Sequence, residues 1–318
     1  MTDNITPPPV LASMGYVEPH APLLRTPPDG QLLYKIMKAE HLLGSVEGGY
    51  LHFNRVDSYA DFPNADRSDG QQLPRDQPAN ARSRFAKAPD FSAANYYDQC
   101  RARTYACCFS LEDSNYIWTN YANGGAKGKV GVVFDFAKMR AAINRIMQPG
   151  NAGLLYNGVQ CRQIFSVNYG IVDYVDWDTH QANETRFPNP IIYTYLKDRK
   201  QFSEEKELRV SLSAIGIGHF VLDDGSRMDF PTSLHLPFDF RSAFTDGTIL
   251  QILQGPDCDL DYLHSGMRAL GVGPADGSDL PGSARRHPRW APSKNRGQTH
   301  IPDSLPRPRG LSPQGSAS

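Results

Sequence analysis

Long apolar runs are missing from this 318-residue chain. No stretch approaches the roughly 20 residues that a helix needs to span a bilayer. The N-terminus also lacks the basic-then-apolar order of a signal peptide. These absences predict a cytoplasmic protein with no membrane partner. Net charge is nearly absent too, −1 at neutral pH, so no overall field draws the molecule to nucleic acid or acidic lipid. Cysteine is sparse and odd in number, with Cys100, Cys107, Cys108, Cys161 and Cys258. There is no CxxC pair and no His/Cys cluster at zinc spacing, which argues against a disulfide framework and leaves no metal cofactor expected. The familiar enzyme signatures are missing as well. No GxSxG elbow occurs, no GxGxxG opens a helix after a strand, and GGAKGK at Gly124–Lys129 lacks the gap and the Lys-Ser/Thr ending of a phosphate loop.

What is present is a middle region able to bury a core between two ends that are not. Residues 1–30 hold TPPPV and TPPDG with no periodic apolar pattern, and 273–318 are rich in Gly, Pro, Ser and Arg. Both are expected to be disordered, because such compositions cannot offset the entropy of ordering. Residues 31–272 are expected to form a single globular domain. The tail carries Arg285, Arg286, Arg289, Lys294, Arg296, Arg307 and Arg309 against Asp303 alone after residue 282. It reads as a solvated end, with contact to an acidic partner as the alternative.

Within the middle region, short strands alternate irregularly with helices. QLLYKIM, GYLHFNR, RTYACCFSLE, KGKVGVVFDF, QIFSVNYGIVDYV, KELRVSLSAI and TILQILQG read as strands. AEHLLGSVE, DSNYIWTNYANGG, AKMRAAINRIM, NPIIYTYLKDRKQF and DCDLDYLHSGMRALG read as helices. HFVLDDGSRMDF reads as a hairpin turning at Asp224-Gly225. Strands and helices in this order predict an α+β fold of mixed, mostly antiparallel sheets with interspersed helices, not a doubly wound repeat. Trp118 falls on the apolar stripe of its helix with Ile117, Tyr121 and Ala122, which assigns it to the core. The stretch between the second and third strands is long, polar and proline-bearing, as a loop or lid would be. It holds Asp57, Asp61, Asp66 and Asp69, but the spacing is not that of an EF-hand and no bidentate glutamate follows.

The chemistry concentrates in FSEEKELRV. Alternation puts Leu208, Val210 and Leu212 on one face and Glu205, Glu207, Arg209, Ser211 and Ser213 on the other. Paired carboxylates at the head of a strand suit acid, base or cation-stabilising roles; they also suit a solvated strand face. The strand RTYACCFSLE puts Thr104, Ala106, Cys108 and Ser110 on one side, a strip of small residues that another element or a ligand can approach. Ser110, at its end, is the position best placed for a ligand.

Two resemblances follow from these residues. YKIM and GYLHFN, then DFPNAD, CFSLEDSNYIWTNYANGG, KGKVGVVFDF, FSEEKELRV and ILQILQGPD together resemble domain-of-unknown-function family 2971 (DUF2971), a mostly bacterial group, over about residues 31–272. The chain also resembles, more distantly, the ADP-ribosyltransferases, which carry a polar residue on an early strand, a serine or tyrosine on a middle strand and Glu-x-Glu on a late one. Here those places fall to Lys35, Ser110, and Glu205 with Glu207. Tyr34-Lys35 stands where that family has arginine or histidine, with His52 as a substitute, and Ser110 stands alone where it has Ser-Thr-Ser.

The resemblance implies an ADP-ribosyltransferase-like fold and an NAD-dependent ADP-ribosyltransferase or NAD glycohydrolase, with a toxin or phage-defence role. Glu207 and Glu205 would be catalytic; Lys35, Ser110 and His52 would bind NAD as substrate; the acceptor would be protein or nucleic acid. The alternatives are a non-enzymatic module binding a small molecule or protein, and a magnesium nuclease using Asp57, Asp61, Glu205 and Glu207.

Overall fold

In the computed structural model, twelve strands among the described residues join one sheet. In chain order they are β1 (Tyr16–Val17), β2 (Leu32–Lys38), β3 (Tyr50–Arg55), β4 (Thr104–Ser110), β5 (Lys129–Asp135), β6 (Leu155–Tyr156), β7 (Val159–Gln160), β8 (Phe165–Ile171), β9 (Glu207–Ala214), β10 (Ser233–Pro237), β11 (Ile249–Gln254) and β12 (Ala284–Arg285). The described residues are 16–61, 66–148, 155–156, 159–160, 165–182, 191–215, 219–222, 224–272 and 284–285. The chain divides into two compact units, Met1–Arg286 and His287–Ser318, and every described residue belongs to the first. The basic tail beyond Arg285 and Cys161 lie outside the described residues, and none of the described helices is long and apolar enough to cross a membrane.

The fold is α+β. Its pairings are antiparallel except β1 with β8 and β11 with β12 in the main sheet, and the side pair Asp173–Val175 with Leu196–Asp198. The sheet runs β12-β11-β5-β2-β4-β3-β10-β6-β7 and branches at β4, whose other edge carries β9, then β8, then β1. On the shared edge, β2 meets β4 only at Tyr34–Ser110, and β3 meets it only at Asn54–Ala106 and Arg55–Tyr105. The two strands therefore splay apart opposite Cys107–Phe109. Lys35 reaches into the gap, its Nζ donating to the Cys108 carbonyl at 3.2 Å and lying 5.1 Å from the Phe109 ring.

One face of the sheet is the core. Tyr105, Cys107 and Phe109 of β4, Leu208, Val210 and Leu212 of β9, and Phe165, Val167 and Tyr169 of β8 share it. Each fully buried side chain of this kind contributes roughly 1.5–3 kcal/mol. Of the helices α1 (Ala39–Gly48), α2 (Ala93–Arg101), α3 (Asn115–Asn120), α4 (Phe136–Met147) and α5 (Leu260–Ala269), α1, α4 and α5 supply residues to this core, while α2 and α3 contribute to two separate clusters. In α4 the Asp135 carboxylate accepts from the Lys138 amide, and Phe136, Met139, Ile143 and Met147 form the buried stripe. Trp118 on α3 is buried with Ile117, Val133 and Leu253, its Nε1 donating to Asp113 at 2.6 Å. The Phe220–Val221 and Arg227–Met228 hairpin turns through Gly225 at φ 84°.

Three expectations change. NPIIYTYLKDRKQF is not one helix: Ile192–Tyr195 is a 3-10 turn, Leu196–Asp198 a strand, and only Arg199–Phe202 is α-helical. Asp198 caps that last turn by accepting from the Lys200 amide, which fixes the helix start well past the aromatic run. Residues 16–30, expected to be disordered, include β1, and Glu18 pairs with Arg140 and accepts from Asn144. Backbone ladder bonds and two ion pairs, Glu18 with Arg140 and Arg25 with Asp173, hold this segment, so it shows no apolar period. Third, the polar face of β9 is not solvated. All eight residues of the strand are buried, because a second layer covers that face. Tyr195 seats its ring against Gly170 so closely that a Cβ there would come within 2.6 Å. Tyr59 bonds the Ala106 carbonyl and lies 3.5 Å from the Cys108 sulfur. The small-residue strip of β4 thus accommodates Tyr59.

Candidate functional site

At the head of β9, five charged side chains meet in a buried cluster: Asp69, Lys197, Glu205, Glu207 and Arg209. Arg209 is fully buried, and its five N–H groups have five acceptors. Nε donates to Glu207 Oε1 at 2.8 Å. Nη1 donates to Asp69 Oδ1 at 2.7 Å and to the Thr194 carbonyl at 2.6 Å. Nη2 donates to Asp69 Oδ2 at 2.9 Å and Glu207 Oε2 at 3.2 Å. Lys197 Nζ lies 2.7 Å from both Glu205 Oε2 and Glu207 Oε2. Each carboxylate of the cluster therefore has a cation, with three acids against two bases.

The local backbone aims these groups. Glu205 ends a 3-10 turn and Glu207 starts the strand. Lys206 between them is held in the left-handed region at φ 47°, a conformation that costs a non-glycine residue roughly 1–2 kcal/mol. Ser110 stands opposite Glu207 in the β4–β9 register. Its hydroxyl lies 2.9 Å from the carbonyls of Glu205 and Glu112, so it ties the turn in place. The Glu207 amide donates to the Tyr174 hydroxyl at 2.8 Å.

The two glutamates titrate differently. Burial raises the Glu205 carboxyl above the ordinary glutamate range, Lys197 opposing and the Glu207 charge adding. Burial acts on Glu207 in the same sense, but Arg209 and Lys197 hold it well below that range. Environments that push a carboxyl pair apart divide acid–base work between them. The Tyr121 hydroxyl bonds Glu205 Oε1. The Tyr121 side is the more open one, since this residue is 39% exposed while Glu207 is 3% exposed. Burial, then the Glu207 charge, pushes the Cys108 thiol up to about 12, which removes it as a nucleophile at neutral pH.

The structure brings Glu205, Glu207 and Ser110 together. Lys35 is one shell away: burial lowers its affinity for the proton, but Cys107, Cys108 and Glu207 more than offset that. His52 is not in the cluster. Its Nε2 lies 2.9 Å from Asn54 Oδ1, and its ring is 5.3 Å from that of His235. Burial holds it below the ordinary histidine value. Of the residues named for a nuclease, the described ones are engaged elsewhere. Asp57 pairs with Arg55, and Glu205 and Glu207 are turned to Lys197 and Arg209. Asp61's side chain is outside the described residues. Among the described residues, no group of three or more His, Cys, Asp or Glu side chains is placed to hold a metal ion.

The sequence pattern does not single out Lys197, nor does it mark Asp69 among the loop aspartates as a member of this cluster. Lys197 was hidden by the helical reading of its segment, although the run IIYTYL ahead of it is β-branched and aromatic. Asp69 is one aspartate of four in a polar loop, and nothing local marks it as the partner of Arg209.

A buried carboxylate pair held by two cations at the head of a strand in an α+β sheet is thus the class of site present. No protein-family model matches the chain, and no curated protein matches it. Among solved structures, DarT from Thermus sp. 2.9 in complex with ADP-ribosylated ssDNA is 13% identical. That match covers 83% of this chain and 98% of that chain, with a TM-score of 0.31. The same protein in complex with carba-NAD+ is 11% identical, covering 82% and 97%, with a TM-score of 0.29. At TM-scores this low, the likeness carries no argument about activity.

Proposed function

We propose that this protein consumes NAD, as an ADP-ribosyltransferase or NAD glycohydrolase, with its chemistry at Glu207 and Glu205. The observation that carries the reading is the pair itself: two carboxylates converge on Lys197 across a strained Lys206, one held as an anion and the other with a raised affinity for its proton. In this reading the bond between the ribose C1′ and the nicotinamide nitrogen breaks, and nicotinamide leaves with the bonding electrons. The Glu207 anion stabilises the resulting oxocarbenium ion and holds the ribose 2′-hydroxyl. Glu205 takes the proton from the attacking hydroxyl or water, its raised pKa making its anion the stronger base. Ser110 positions Glu205 through its carbonyl. Lys35, at the splayed edge, and His52 beyond it would meet the remainder of the NAD molecule. The acceptor would be a protein or nucleic acid, and a toxin or defence role fits such chemistry.

A second reading, a non-enzymatic binding module, is favoured by one observation. Both glutamates already have cations, so the cluster can serve the fold alone. The test is nicotinamide release from NAD by the full chain, alone and with cell extract. Release supports the enzyme; no release together with no shift in melting temperature on adding NAD overturns it in favour of the second reading.

A further inference from the structure

Among the described residues, Arg103 is a buried guanidinium without a counterion. It is 7% exposed, and no carboxylate pairs with it among the described residues. Nε donates to the Gln99 carbonyl at 2.9 Å and Nη2 lies 3.4 Å from the Cys100 sulfur, while buried Nη1 has no acceptor. A buried charge without a partner is costly, and an incoming anion removes most of that cost.

Arg103 lines a cavity of about 360 Å³, in the lower range for small-molecule sites. The cavity lies at the far end of the face that carries the glutamates. Ser213 is six residues along β9 from Glu207, about 20 Å at strand rise. Thr104, Ser213 and Ser166 form one row across β4, β9 and β8 at its floor. Thr104 and Ser213 hydroxyls are occupied with each other at 2.9 Å. The Ser166 hydroxyl has only a long 3.4 Å bond to the Ser213 carbonyl and is available to a ligand. Tyr16, Tyr96 and Ile215 supply apolar wall. On the same β8 face, Asn168 accepts from the His20 amide, which leaves its buried Nδ2 without an acceptor. Burial holds His20, also on the wall, below the ordinary histidine value, so it brings no second positive charge at neutral pH.

We infer that this cavity binds a small organic monoanion, a carboxylate on an apolar body, with the carboxylate on the Arg103 guanidinium and Ser166. One cation among apolar walls matches one negative charge; a phosphate dianion would bury a second charge with nothing to balance it. The site is independent of the glutamate chemistry, and Tyr195, bonded to Ser211 at 2.9 Å, fills the face between them.

The experiment is titration of the full chain with benzoate, its neutral isostere benzamide, and inorganic phosphate, followed by calorimetry and melting temperature. Benzoate should bind and raise the melting temperature. Benzamide should bind about tenfold or more weakly, the loss expected for one charge-assisted hydrogen bond. Arg103→Met should abolish the preference, and Glu205→Gln should retain it. In wild-type protein, the benzoate ring should give nuclear Overhauser contacts to the Tyr16 and Tyr96 rings, so the assignment stands or falls even if Arg103→Met does not fold. Equal binding of benzoate and benzamide, contacts elsewhere, or a response to phosphate alone overturns the inference.

Discussion

Two arginines mark the two ends of the polar face shared by β4 and β9, and they are opposites. Arg209, fully buried, spends every N–H on two carboxylates and a carbonyl. Arg103, nearly as buried, has a carbonyl and a sulfur, leaves Nη1 without an acceptor, and lines a cavity. Burial alone therefore does not distinguish a structural ion pair from a ligand site; completeness of the partners does. A saturated guanidinium fixes the carboxylates around it, whereas an unsaturated one has free capacity for something that is not protein.

The comparison can be broken by substitution. The largest effect is expected for Arg209→Met, which leaves Asp69 and Glu207 buried without their main cation. Stability should fall by about 3–5 kcal/mol, read from chemical denaturation. A loss under about 1 kcal/mol would show that the cluster is wetter or looser than its geometry. Glu207→Gln should come next, at about 3 kcal/mol, because the amide keeps the shape but leaves Arg209 and Lys197 with one anion fewer. Its pH signature has a definite sign. A carboxyl with a lowered folded pKa stabilises the protein above the ordinary value of 4.5 and loses that contribution as pH falls below it. Glu207→Gln should therefore flatten the acid limb of the stability profile.

Glu205→Gln should be milder, under about 1 kcal/mol, because it brings three acids against two bases to two against two. Here the sign reverses. With a raised folded pKa, wild-type stability declines as pH rises from 4.5 towards that value, and the variant should lack the decline. The smallest effect, near zero or slightly stabilising, is expected for Arg103→Met, since replacing a buried cation that has no carboxylate among the described residues by an apolar side chain removes a desolvation cost. A loss as large as that for Arg209→Met would erase the distinction between the two ends.

Alternation along a strand says which residues share a face, not what covers it. Leu208, Val210 and Leu212 were legible as core for that reason, and Glu205, Glu207 and Arg209 as companions. That Arg209 is buried could not be read locally, because its cover comes from Asp69 and Thr194, distant in sequence or in a segment that looked helical. Trp118 was legible because it shares the apolar stripe of its helix with Ile117. Arg103 was not, since an arginine ahead of a strand looks the same whether it faces solvent or a cavity.

The central claim, that the glutamate pair is chemical and not only structural, is tested most directly by NAD turnover in the Glu205→Gln variant. This substitution is chosen because it should leave the fold intact. With an unchanged melting temperature, nicotinamide release should fall by about 100-fold, within the range for loss of a general base. Turnover equal to wild type in a folded Glu205→Gln protein would contradict the account and leave the cluster a structural one.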